Sequence, residues 1–121
     1  GAAACVIVKR VPGTSTTDLT YKLRVGPVGT GYDSNKLARK DVKEITKKAP
    51  HCVHSRKAVH GVIVIIRNDH KSSKGDNVKT YGIGIANNSK EAEAAALKEL
   101  RNRYWNWTKQ SGYKVVEIKK F

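Results

Sequence analysis

Val62-Ile63-Val64-Ile65-Ile66 is the longest strongly apolar run in the chain, five β-branched residues between Gly61 and Arg67. Branching at Cβ suits a pleated strand better than a helix, and the run has strand rather than helix length. The spacing predicts a strand over 58–67 and a second one over 78–85. Between them, Asn68-Asp-His-Lys-Ser-Ser-Lys-Gly-Asp-Asn77 is expected to be too polar to bury and to form a long hairpin loop. Gly82 and Gly84 alternate with Ile83 and Ile85 inside the second strand. Close approach of a helix or an aromatic ring explains such glycines better than a phosphate loop, which needs a third glycine opening a helix.

Downstream, Asn88 stands where a helix N-cap is expected, with Glu91 three residues on. The apolar stripe of that helix runs Ala92, Ala96, Leu100, and Tyr104 and Trp107 extend it at helical spacing. Glu91 and Glu93 near its start and Arg101, Arg103 and Lys109 near its end suit the helix dipole, and Gly112 is expected to close it. Residues 113–119 then read as a last strand.

Upstream, residues 4–9 form a candidate strand, followed by Pro12-Gly13 and a polar turn. Leu19 to Val25 alternates apolar and polar with period two. Gly26-Pro27 ends it, and a helix is expected from Ser34 to Lys48, with Ala38, Val42, Ile45 and Ala49 inward and Pro50 as its stop. The resulting order is β-β-α-β-β-α-β. The expected fold is α+β: a single-layer, mostly antiparallel five-stranded sheet with both helices on one face. Ala38, Val42, Ile45, Ala96 and Leu100 should then pack together on Ile63, Ile65 and Ile83. At 121 residues and 39% hydrophobic, the chain is expected to form one compact α/β sandwich domain over 1–121. Thr20-Tyr21 and Thr80-Tyr81 each open a strand before a loop and helix, a hint of duplication.

The segment from Val78 to Leu100 resembles the last hairpin and helix of a double-stranded-RNA-binding domain, about a fifth of the chain. That resemblance implies phosphate contacts from lysines at the helix N-terminus. Lys90 matches this cluster, whereas Ser89 and Glu93 stand where further lysines belong.

Charge speaks most directly about function. Twenty-four Lys and Arg face ten Asp and Glu, a net charge of +14. Self-repulsion on that scale fits a protein that meets a polyanion: RNA, DNA or an anionic cell surface. Cations are densest at Lys36, Arg39, Lys40, Lys43, Lys47, Lys48, Arg56 and Lys57, opposed only by Asp41 and Glu44. Lys36, Lys40, Lys43 and Lys47 share one outer helix face, a spacing that tracks phosphates, although many lysine-rich helix faces are merely solvated. Trp105, flanked by Arg101 and Lys109, points away from the core stripe and is the best candidate for an exposed stacking or membrane-interface residue.

His51, His54 and His60 surround Cys52 without the paired spacing of a zinc site, so neither a metal nor another cofactor is expected. A metal-independent ribonuclease would assemble His54, His60 and Lys57, with His70 in reserve, as acid, base and phosphate clamp. Surface histidines in a basic segment are the more ordinary explanation, and an enzyme is not the favoured expectation. Cys5 and Cys52 either pair or pack as two small hydrophobes. No run of about 18 apolar residues is present to cross a membrane. A start at Gly1 without any Met reads as a processed protein or an excised domain, and slightly favours secretion over the cytoplasm. Three functions follow, in order: an RNA- or DNA-binding module using the lysine-rich helix, a secreted cationic toxin or antimicrobial protein, and a small ribonuclease.

Overall fold

A computed structural model describes residues 2–10, 17–26, 34–46, 51–56, 60–71, 73–75 and 77–121, with side chains outside the description at 2–10, 17–20, 35, 42, 45, 46 and 51–56. Its elements are β1 (Ala2–Arg10), β2 (Thr17–Val25), α1 (Ser34–Thr46), β3 (His51–Arg56), β4 (Val62–Lys71), β5 (Asn77–Ala86), α2 (Ser89–Arg103) and β6 (Lys114–Lys120). The class is α+β, as expected, but the strands form two three-stranded antiparallel sheets, ordered β2-β1-β3 and β5-β4-β6.

The expected single five-stranded sheet is therefore replaced, and the missing strand is β3. His51-Cys-Val-His-Ser-Arg56 has a basic, polar sequence pattern that conceals a strand, yet it pairs along β1 from Ala2 to Val6. Several boundaries also move. The helix expected to reach Lys48 is described to Thr46, and residues 47–50 lie outside the described residues. The strand expected from 58 is described from Val62 and continues to Lys71.

In sheet β5-β4-β6 the central strand β4 is covered on both faces over residues 62–66. On one face Val62, Val64 and Ile66 pack with Ala92, Ala96 and Leu100 of α2. On the other, Ile63, Ile65 and Ile83 meet Tyr21, Leu23 and Val25 of β2. Ala96 and Leu100 thus do not share a surface with Ile63, Ile65 and Ile83, contrary to the expected packing. Burial on both faces explains why β4 is continuously apolar instead of alternating. Each fully buried Ile contributes roughly 1.5–3 kcal/mol.

Arg24 alternates with Leu23 and Val25 along β2 and forms an ion pair with Asp41 of α1. This places α1 on the outer face of the first sheet, so the layers run α1, sheet, sheet, α2. The helices lie on opposite outer faces, not on one.

Each half of the chain is a ββαβ unit in which the third strand pairs antiparallel with the first. Aligning Tyr21 with Tyr81 also aligns the irregularities. The β1–β3 register shifts between Ala4 and Cys5, and the β4–β6 register shifts between Ile65 and Ile66. In both units the step lies just before the residue opposite the tyrosine, Val6 or Arg67. The likeness between the halves hinted at by two Thr-Tyr pairs thus includes the placement of a register shift.

Helix α2 is built as its sequence dictates. Asn88 has extended backbone and its Oδ1 accepts from the Glu91 N–H at 2.8 Å. Helix α2 ends at Arg103, earlier than expected, with the Tyr104 N–H bonded to the Leu100 carbonyl at 2.8 Å. Trp107 still packs against the helix-side core, but from the following turn. Gly112, at φ +64°, serves that turn rather than the helix end.

The polar run from Asn68 is likewise corrected. It belongs to strands as far as Lys71 and resumes strand at Asn77. Asn68 is buried: its Nδ2 donates to the carbonyls of Ser111 and Gly112 at 3.1 and 2.9 Å. Those acceptors replace water, which removes the cost of burying the amide.

Candidate nucleic-acid interface

The outer face of α1 carries the first group of candidate residues. Ser34 and Ala38 are buried and Leu37 and Asp41 are half-buried, whereas Lys36, Arg39, Lys40, Lys43 and Glu44 are exposed. At about 100° per residue, the four cations occupy an arc of roughly 100° on the side away from Ala38. Asp41 lies outside this arc and is paired with Arg24 beneath the helix. Glu44 flanks the arc at its edge. Lys47, Lys48 and Lys57 lie outside the described residues, as does the side chain of Arg56 on β3.

Trp105 belongs to a second surface, on the opposite outer layer. It is 84% exposed, the most exposed large hydrophobic residue among those described. An open groove of about 570 Å³ runs beside it along α2, lined by Leu97, Lys98, Arg101, Asn102 and Trp107. The Arg101 guanidinium lies over the Trp107 ring, 5.9 Å from its centroid. Trp107 is held in turn by a 2.9 Å bond from Nε1 to the Gly112 carbonyl. Lys90, the residue matched in the resemblance to RNA-binding domains, is exposed in the first turn of α2.

The histidines are not brought into one described cluster. His60 is exposed, and the side chains of His51 and His54 lie outside the described residues. His70 stacks on Tyr104 with ring centroids 3.9 Å apart, and its Nδ1 lies 2.9 Å from Asn68 Oδ1. Burial pushes its pKa down, against the pull of Asp69. This ring is positioned by Asn68 and Tyr104, a role its sequence context as a loop residue conceals. Among the described residues no group of three His, Cys, Asp or Glu could hold a metal ion.

A polar cluster not foreseen from sequence lies where the two sheets meet. The Tyr21 hydroxyl donates to Glu117 Oε2 at 3.1 Å, and its ring meets Tyr81 edge-on at 5.2 Å. Burial first, then the Glu117 charge, push the Tyr21 pKa up to about 12. Asp69 is bonded by Arg67 and Lys114, whose cations hold its carboxyl below the usual range although burial acts the other way. The aligned Thr-Tyr pairs were the available signal for this contact.

Backbone register sets Cys5 opposite Cys52. Their side chains, and hence the choice between a disulfide and two thiols, lie outside the described residues. No helix among the described residues is long and apolar enough to cross a membrane. Comparison with known proteins adds no relative: no family model matches the chain, and neither does any curated protein or solved structure.

Proposed function

We propose that this protein binds RNA or another nucleic acid through the outer face of α1, in a largely sequence-independent way. The observation that carries the reading is the exposed arc of Lys36, Arg39, Lys40 and Lys43, with Asp41 directed to Arg24 instead of to the arc. Flexible lysines suit mobile phosphate contacts better than bidentate reading of bases. A net charge of +14 adds long-range attraction.

Charge-matched variants test it. Changing Arg39, Lys40 and Lys43 to Gln should weaken binding to duplex RNA and flatten the plot of log affinity against log salt by about three phosphate contacts. Changing Lys71, Lys79 and Lys119 to Gln removes as many charges from exposed positions on the other sheet and should cost much less. Equal losses in the two variants would mean a diffuse cationic surface and no localised site.

A second reading has its own observation. Strand β6 exposes Val115, Val116 and Ile118 between Lys114 and Lys119-Lys120. Apolar side chains framed by lysines suit a secreted cationic protein acting at an anionic cell surface. Binding to anionic vesicles that persists at high salt, together with growth inhibition by added protein, would favour this reading.

A further inference from the structure

The groove beside Trp105 combines features that a solvated helix face does not need. An exposed indole costs solubility, and this one is displayed by a fixed backbone. The Tyr104 N–H bonds to the Leu100 carbonyl at 2.8 Å, and the Trp107 N–H bonds to the Tyr104 carbonyl at 3.0 Å. Trp105 lies inside the turn closed by that second bond. The turn is further tied by Trp107 Nε1 to Gly112 and by the Ser111 N–H to the Thr108 carbonyl. Lys98, Arg101 and Asn102 of α2 line the same groove as Trp105, which reaches it from the turn after the helix. The groove lining has two cations and no acid. Glu99 lies on a different side of α2 and is engaged by Arg103 at 2.8 Å.

We infer that this groove takes an unpaired base of a single-stranded nucleic acid, stacked on Trp105, with the adjoining phosphates held by Lys98 and Arg101. A flat, π-rich face beside two cations is complementary to a base joined to an anionic backbone. A duplex keeps its base faces inside the stack and offers this site only phosphates. The groove therefore distinguishes single strands from duplexes, which the lysine arc of α1 does not. The inference rests on the nucleic-acid reading above and deepens it. The two surfaces lie on opposite outer layers, so their variants report separately.

The test compares a short oligouridylate with a duplex RNA of the same length, on the full chain. Trp105→Ala should lose roughly tenfold in affinity for the single strand and leave duplex affinity unchanged. Trp105→Phe should retain most of the single-strand affinity. Tryptophan emission of the wild-type protein should be quenched by the oligouridylate and much less by the duplex. An unchanged single-strand to duplex ratio in Trp105→Ala overturns the inference, and does so alone if the α1 variant still weakens both ligands. Binding of neither RNA by the wild-type protein overturns both readings. Emission that responds to anionic vesicles but not to oligouridylate assigns Trp105 to a membrane surface and also overturns this one.

Discussion

The two ββαβ units share strand order, the position of a register shift and a Thr-Tyr pair at the fourth and fifth strand positions, yet the contacts described beneath their helices differ. Beneath α2, strand β5 presents Gly82 and Gly84, and a Cβ at either would collide with the backbone of Ala96 or Ala92. The helix sits directly on the sheet. At the aligned positions of β2 stand Lys22 and Arg24, and Arg24 spans to Asp41 of α1. The central strands differ in the same direction: Ile63-Val-Ile-Ile66 in β4 aligns with Ala2-Ala-Ala-Cys5 in β1. In the second unit the helix lies directly on glycines beside a buried apolar strand; in the first, an ion pair joins strand to helix. The same topology thus accommodates a helix seated closely on glycines and a helix whose outer face carries exposed cations.

The strongest challenge to this contrast exchanges the aligned positions. Gly84→Val forces a branched side chain into the Ala92 carbonyl, so it should cost about 3 kcal/mol or more and lower Tm by roughly 10 °C. Arg24→Val, at the equivalent site, should change stability by about 1 kcal/mol or less in the same thermal melts. Similar losses at both sites would show that α1 is seated as closely as α2.

The contact between the units has a pH signature. An unfolded Tyr ionises near pH 10, whereas folded Tyr21 retains its proton to about 12. Across that window the unfolded chain releases a proton that the folded chain keeps. The contribution is therefore complete below about pH 10 and is lost as pH rises towards 12. Denaturant unfolding should show this alkaline loss in the wild-type protein and a smaller one in Tyr21→Phe. Identical alkaline limbs would remove Tyr21 from the interface energetics.

The smallest effect concerns the pair itself. Arg24 is 40% exposed and Asp41 17%, so a double-mutant cycle on Arg24→Ala and Asp41→Ala should return a coupling below about 1 kcal/mol that shrinks in salt. A larger, salt-insensitive coupling would make this ion pair a principal tie between α1 and its sheet.

What the sequence revealed, and what it hid, follows the same division. Asn88 as cap, the Ala92-Ala96-Leu100 stripe and the closely approached Gly82 and Gly84 were legible because local chemistry alone decides them. So were the exposed positions of Lys36, Lys40 and Lys43, and of Trp105. Strand β3 was not legible, because His51-Cys-Val-His-Ser-Arg56 lacks an apolar period and depends on pairing with β1. Asn68 was misread as loop because its two carbonyl acceptors come from residues 111 and 112, remote in sequence. The stacking of two sheets had one signal, the unbroken apolar run of β4, which requires cover on both faces.

That run has a consequence for the history of the chain before it is folded. Val62-Ile-Val-Ile-Ile66 is a short, uncharged, β-branched segment of the kind that stacks between molecules as readily as within one. Its partner β5 follows at once, but its other partner, β6, is made only after α2. During synthesis one edge of β4 must wait without its neighbour. The cations distributed through the rest of the chain make nascent copies repel each other throughout that interval, so the charge excess also works as protection against self-association.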